Sequence, residues 1–197
     1  MKILLATTNA GKVRELKDLL AHLPFELLSL NNFSVIDVEE TGTTFKENSE
    51  LKASSYSRQT NCWTMADDSG LEVEVLNGAP GVYSARYGGR HASDIENTQK
   101  LLTDMSQTPD VKRLAQFVCS VSVADDKGEI QHTTRGVCRG KIAKAPRGNN
   151  GFGYDPVFIP EGFDRTFGEL SGTVKREISH RSKALKQIIT FLSDIPA

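Results

Sequence analysis

The stretch Trp63-Thr64-Met65-Ala66-Asp67-Asp68-Ser69-Gly70-Leu71 decides how this chain is read. A short apolar run ends in two adjacent carboxylates, and visible alternation then resumes from Leu71 to Leu76. The segment reads as two strands, Trp63–Ala66 and Leu71–Leu76, meeting at a tight turn. Carboxylates are hard oxygen ligands suited to Mg²⁺, which is held by one or two of them plus substrate phosphates. Neighbouring side chains of an extended chain point to opposite faces, so only one aspartate can face a given site. The pair therefore reads as one working carboxylate and one that supports it. The competing reading is an ordinary strand-ending turn, because Asp, Ser and Gly are common turn residues.

Lys2 to Thr7 reads as a buried strand, and Val13, Leu16, Leu19, Leu20 and Leu23 follow as a helical stripe. Phe25 to Leu30 is a second strand. Thr44-Phe45-Lys46-Glu47 has the spacing of a capping box and opens a helix to about Arg58. Ser93-Asp94-Ile95-Glu96 is another, continued by Ile95, Leu101, Leu102 and Met105. Gln116–Ala124 and Glu129–Val137 flank Asp125-Asp126-Lys127-Gly128 as a hairpin. Pro156–Ile159 is a short strand. A last helix begins near Ser179 with Ala184, Leu185, Ile188, Ile189 and Leu192 on one face. Early βαβ units, a β-rich middle and a closing helix predict an α/β fold, a mixed sheet flanked by helices.

The 197 residues suit one well-cored domain or a two-lobed one. A formal net charge of −1 gives no overall basic field, which argues against nucleic acid as the main partner. Small phosphate ligands need local positive charge only. The opening run Met1–Ala6 is too short for a signal-peptide core, and no segment approaches the ~20 apolar residues of a membrane span. Three widely spaced cysteines, Cys62, Cys119 and Cys138, form no CxxC pair and read as reduced thiols of a cytoplasmic protein.

Five further segments carry candidate chemistry. Thr7-Thr8-Asn9-Ala10-Gly11-Lys12 lies between the first strand and helix, where free amides, the helix dipole and a lysine make an anion site. It lacks the Walker A spacing. Glu39-Glu40-Thr41-Gly42 offers a second source of metal ligands before the helix that carries Asn48 and Lys52 on one face. Gly151-Phe152-Gly153-Tyr154-Asp155 joins a loop of close backbone approach to aromatic rings that stack on a base and a carboxylate that accepts from a ring N–H. Lys175 and then Ser179-His180-Arg181 place cations at a helix start, where the dipole disfavours them, so Arg181 reads as kept for binding. In Gly78–Tyr87, Ser84 and Arg86 read equally as ligand-facing or as structural contacts.

In this order the segments resemble the inosine triphosphate pyrophosphatase family. The matching pieces are TTNAGKVRE at 7–15, EETGTTFKEN at 39–48, ADDSGL at 66–71, GAPGVYSARY at 78–87, GFGYDPVF at 151–158 and SHR at 179–181. The resemblance implies a single domain over 1–197, with an elongated twisted mixed sheet, two lobes and an active site in the cleft between them. It implies Mg²⁺-dependent hydrolysis of ITP, dITP and XTP to monophosphate and pyrophosphate, by a homodimer. By position it places a triphosphate cradle on Thr7, Thr8, Asn9, Ala10, Gly11 and Lys12. Metal ligands fall on Asp68 and on Glu39 or Glu40, the proton acceptor on Asp68, and help with the phosphates on Lys52. Ser69 matches a substrate contact; Phe152, Gly153, Tyr154, Asp155, Lys175, His180 and Arg181 match base recognition. Asn149-Asn150 and Ser171–Val174 depart from the family pattern and bear on substrate preference rather than on the reaction.

Other readings fit less well. A haloacid-dehalogenase-type phosphatase needs DxD at the end of its first strand, where this chain has Thr7-Thr8-Asn9. A non-catalytic nucleotide sensor gains little from crowding acids near a triphosphate. Pyrophosphatases of modified pyrimidines share the general design, but the SHR and GFGYDP segments favour purines.

Overall fold

The computed structural model describes residues 2–21 and 25–194; the predicted helical position Leu23 lies outside them. In chain order the elements are β1 (Lys2–Leu5), α1 (Ala10–Leu20), β2 (Glu26–Ser29), α2 (Phe45–Thr60), β3 (Trp63–Val73), α3 (Asp94–Asp104), β4 (Leu114–Ala124), β5 (Ile130–Ile142), β6 (Phe158–Pro160), α4 (Gly172–Ile178) and α5 (His180–Ser193). The six strands form one sheet in the order β2-β1-β3-β4-β5-β6. β1 runs parallel to both β2 and β3, whereas β5 and β6 are antiparallel. The expected mixed α/β architecture is present.

The chain divides into two compact units. One holds the residues up to Asp68, Cys119–Gly136 and those from Arg181 onward; the other holds Ser69–Val118 and Val137–His180. In the first unit the alternation of β1 sorts its side chains. Ile3 and Leu5 join Leu16 and Leu20 of α1 and Leu185 and Ile188 of α5 in one cluster. Leu4 and Ala6 join Ala53 and Tyr56 of α2 in another. Each fully buried Leu or Ile contributes about 1.5–3 kcal/mol from removal of its apolar surface from water. The second unit has its own core, built on Leu101, Phe117, Phe158 and Phe167.

Local signals form as their chemistry dictates. Asn9 caps α1 through Lys12 N–H, and complete capping boxes open α2 at Thr44/Glu47 and α3 at Ser93/Glu96. The turn from β4 to β5 closes with Gly128 at φ 83°, a conformation that glycine adopts without steric cost.

Three expectations need correction, and one helix was not anticipated. The segment 63–73 is one strand of 11 residues rather than two strands and a turn. β3 lies between β1 and β4, so both edges of its backbone find partners, and its two aspartates are paired with cations instead of water. Glu74–Leu76, expected to extend the second strand, is a 3-10 turn. Ile95 is 82 % exposed. The buried face of α3 centres on Asn97, Thr98 and Leu101, and Ile95 lies about 200° round the helix from Asn97. Finally, α4 is a separate helix before α5, capped by the Ser171 hydroxyl on Val174 N–H.

Candidate active site

β3 carries Asp67 and Asp68 outward on opposite faces, following the same alternation that sorts Met65 and Ala66 between the two clusters of the first unit. Asp67 turns to the α1 and α5 side. Its Oδ2 lies 3.0 Å from Lys12 Nζ and 3.4 Å from Arg181 Nη2. Arg181 is only 2 % exposed and also pairs with Glu15. Asp68 turns to the α2 side, where Asn48 Nδ2 donates to its Oδ2 at 3.0 Å and Lys52 Nζ stands 3.9 Å from its Oδ1. Lys52 also meets Glu40 Oε1 at 2.5 Å.

The two aspartates therefore differ electrostatically. Burial works against the charge of Asp67, but Lys12, Arg181 and Lys52 outweigh it and hold its carboxyl well below the usual carboxylate range. At Asp68 burial is the largest influence and raises the pKa; Lys52 opposes it, Glu40 adds to it, and the result is upward. Burial alone would lower the Lys52 pKa, yet Asp68, Asp67 and Glu40 together push it up, so it is a fixed cation. A buried carboxyl with raised proton affinity beside fixed cations suits a proton acceptor.

The donor set fits Mg²⁺. Asp68 and Glu40 converge on one ammonium, which marks a point where two hard oxygen ligands already share a cation. Between the two candidate glutamates, Glu40 is half-buried and paired while Glu39 is exposed. No group of three or more His, Cys, Asp or Glu side chains gathers around a common point among the described residues. Two carboxylates leave the rest of a Mg²⁺ shell to waters and phosphates.

Thr7 to Lys12 leads into α1 with Thr8, Asn9 and Ala10 exposed. Asn9 N–H donates to Thr7 Oγ1 at 3.3 Å and Lys12 N–H to Asn9 Oδ1 at 3.0 Å. The amides of Ala10 and Gly11 belong to the first helical turn, where backbone donors have no carbonyl of their own helix. The segment is a cationic helix start beside Asp67.

The second unit holds another cluster. Lys175 Nζ lies 2.5 Å from Asp155 Oδ2, which also accepts Phe152 N–H at 2.9 Å. The same ammonium stands 4.9 Å from the Phe152 ring centroid and 5.7 Å from that of Phe167. Gly153 N–H is held by Asp94 at 2.7 Å. Tyr154 is buried with its hydroxyl on the Ser84 carbonyl, so it anchors the loop. His180 is buried and stacks on Phe117 at 4.7 Å, and Ser69 is half-buried on β3. Ser84 bridges Leu71 N–H and Gly81 O, and the exposed Arg86 lies 5.2 Å over Tyr83.

Sequence reasoning passed over Asn48 and Glu15 as site residues. Asn48 had a signal, being four residues before Lys52 on one helix face; Glu15 meets Arg181 across 166 positions, a separation that no local pattern reports. A cavity of about 660 Å³ in the second unit, lined among others by Val73, Gln116, Arg139 and Phe163, contains none of the candidate residues. The ionisable clusters around Lys52 and Lys175 lie outside this cavity.

The Ham1 family model matches residues 3–191. The dITP/XTP pyrophosphatase of Vibrio cholerae is 48 % identical over 98 % of this chain and 97 % of its own length. That of Oceanobacillus iheyensis is 44 % identical, over 98 % and 99 %. Among solved structures, a HAM1 protein from Coxiella burnetii matches with a TM-score of 0.91 at 42 % identity, covering 99 % of this chain and all 100 % of that one. A dITP/XTP pyrophosphatase from Mycobacterium abscessus matches at 0.79 and 43 % identity, over 96 % and 99 %. Sequence and fold agree from the first strand to the last helix, and both aspartates of β3 lie inside the matched region: the chain belongs to the Ham1 family.

Proposed function

We propose that this chain is a nucleoside triphosphate pyrophosphatase that cleaves dITP, XTP and ITP to the monophosphate and pyrophosphate. The observation that carries the reading is the convergence of Asp68 and Glu40 on Lys52 beside the Lys12–Asp67 pair at the start of α1. The names of its close relatives, at 44–48 % identity over nearly the whole chain, support dITP and XTP among these substrates. Asp68 accepts the proton of the water that attacks the α-phosphorus. Its raised proton affinity brings it nearer the operating pH than an ordinary carboxylate. Lys12 and Lys52, fixed by Asp67 and Glu40, offset the charge that accumulates on the departing pyrophosphate. The Ala10 and Gly11 amides and the hydroxyls of Thr7 and Thr8 bind phosphate oxygens. Asp68 and Glu40 would hold Mg²⁺, which when bound neutralises phosphate charge and polarises a phosphoryl oxygen.

Phe152 stacks on the base, and the Lys175–Asp155 pair with His180 reads its edge. A 6-oxo group finds a donor there, whereas a 6-amino group leaves buried polar atoms mispaired, a cost large enough for strong selectivity. The enzyme works as a single functional domain, as a cytoplasmic homodimer, and removes deaminated purines from the nucleotide pool.

The test is pyrophosphate release from dITP, XTP, ITP, ATP and GTP, with Mg²⁺ and with EDTA, for wild type and Asp68→Asn. Metal-dependent release from the first three, hardly any from ATP or GTP, and loss in the variant are the expected results. Release of inorganic phosphate in place of pyrophosphate would overturn the assigned reaction. Tight binding without turnover would mark a sensor.

A further inference from the structure

The segment that carries Glu40 has no regular structure between residues 34 and 42, yet it is laid along one face of α2 by successive side chains. Ile36 N–H donates to Gln59 Oε1 at 2.7 Å, and Gln59 Nε2 donates back to Ile36 O at 3.1 Å. The Tyr56 hydroxyl donates to Asp37 at 2.7 Å and accepts Val38 N–H at 3.2 Å. Lys52 meets Glu40, and Asn48 Oδ1 accepts Gly42 N–H at 2.7 Å. Positions 48, 52, 56 and 59 are three or four apart, a single helical stripe.

The Asn48 contact continues to the strand. The other end of its amide, 1 % exposed, donates to Asp68 Oδ2 at 3.0 Å. An ionised carboxylate only accepts, so the NH₂ end must face Asp68 and the carbonyl end must face Gly42 N–H. With Oδ2 held by Asn48, Oδ1 is the oxygen turned to Lys52. The approach at Gly42 is equally constrained: a Cβ there would stand 2.7 Å from Asn48 Oδ1.

We propose that Asn48 is a positioning residue for the hydrolysis, one amide setting both the orientation of the Asp68 carboxylate and the place of the Glu40 arm. The inference rests on the reading of Asp68 and Glu40 given above. Asn48→Ala removes the tie, and kcat on dITP falls about 100-fold, the scale of an ångström-size misplacement. KM stays within about threefold, because the interaction is felt in the transition state and not in ground-state binding. Asn48→Asp sets carboxylate against carboxylate and lowers kcat further.

A second readout does not depend on turnover. Amide hydrogen exchange at Gly42 accelerates in Asn48→Ala, while Ile36 and Val38, held by Gln59 and Tyr56, keep their protection. Gly42→Ala, which displaces the arm with Asn48 present, reproduces the kcat-specific loss and serves where an Asn48 variant fails to fold. An unchanged kcat, a defect confined to KM, or loss of protection along the whole segment overturns the proposal. A wild-type chain that releases no pyrophosphate from dITP, XTP or ITP overturns the reading of the site itself, whereas an active wild type with an unaffected Asn48→Ala overturns this inference alone.

Discussion

Both units bury a lysine against a carboxylate at 2.5 Å, Lys52 on Glu40 in one and Lys175 on Asp155 in the other, but their surroundings differ. Around Lys52 stand Asp68, Asp67 and Glu40, with Lys12 and Arg181 on the far side of the strand. Acids and bases there alternate in space, so an entering phosphate or cation finds counter-charge already fixed. Around Lys175 the neighbours are the Phe152 and Phe167 rings. One lysine–carboxylate pair between aromatic faces suits a flat, weakly charged ring that stacks and exchanges hydrogen bonds. The same kind of ion pair thus stands in two settings, and under the proposed function the charged one serves charge stabilisation and the apolar one serves base recognition.

The largest expected effect lies in the charged region. Asp68→Asn lowers kcat by about 10²–10⁴-fold, the contribution of a general base. Thermal stability at neutral pH stays level or rises: the folded pKa of Asp68 is raised, so its ionised form costs stability once pH exceeds that value. A marked fall in melting temperature would show that Asp68 is a structural charge like its neighbour.

Asp67→Asn acts oppositely. It removes the partner of Lys12 and of buried Arg181, and breaking such a pair costs about 3–5 kcal/mol. The Asp67 pKa is lowered on folding, so its contribution is present above the unfolded value of 3.8 and is lost as pH falls toward the folded value. Denaturant titrations of the two forms should therefore converge below pH 3.8, and a gap that persists in acid would mean that the pair is not what stabilises this side of β3.

Phe152→Ala probes the apolar region. Loss of one stacking face, worth about 1–3 kcal/mol, raises KM for dITP with little change in kcat, which steady-state kinetics on dITP and XTP will separate. A kcat-dominated defect would count against a base-stacking role for Phe152.

The smallest effect is silence. Burial pushes the Cys119 thiol up to about 12, with the Asp67 charge adding to it, so iodoacetamide at pH 8 leaves Cys119 unlabelled in the native protein and modifies it after unfolding. Native labelling, read by peptide mass spectrometry, would mean that the charged region opens.

Amino-acid order by itself determined what depends on near neighbours: the Thr44/Glu47 and Ser93/Glu96 boxes, the turn at Gly128, and the rule that Asp67 and Asp68 face apart. These are contacts within a few residues, so spacing alone reports them. The candidate segments were also legible, because their residue types suit phosphate, metal and base. Tertiary structure decided the rest. Whether 67–70 turns or runs on as strand depends on partners supplied by β1 and β4, far away in sequence. Which aspartate meets Lys52, which glutamate turns inward, and which end of Asn48 meets Asp68 depend on α2 lying alongside both β3 and the 36–42 segment. Charge and hydrogen-bond partners of that kind are set by distance in space, and the distance exists only once the chain has folded.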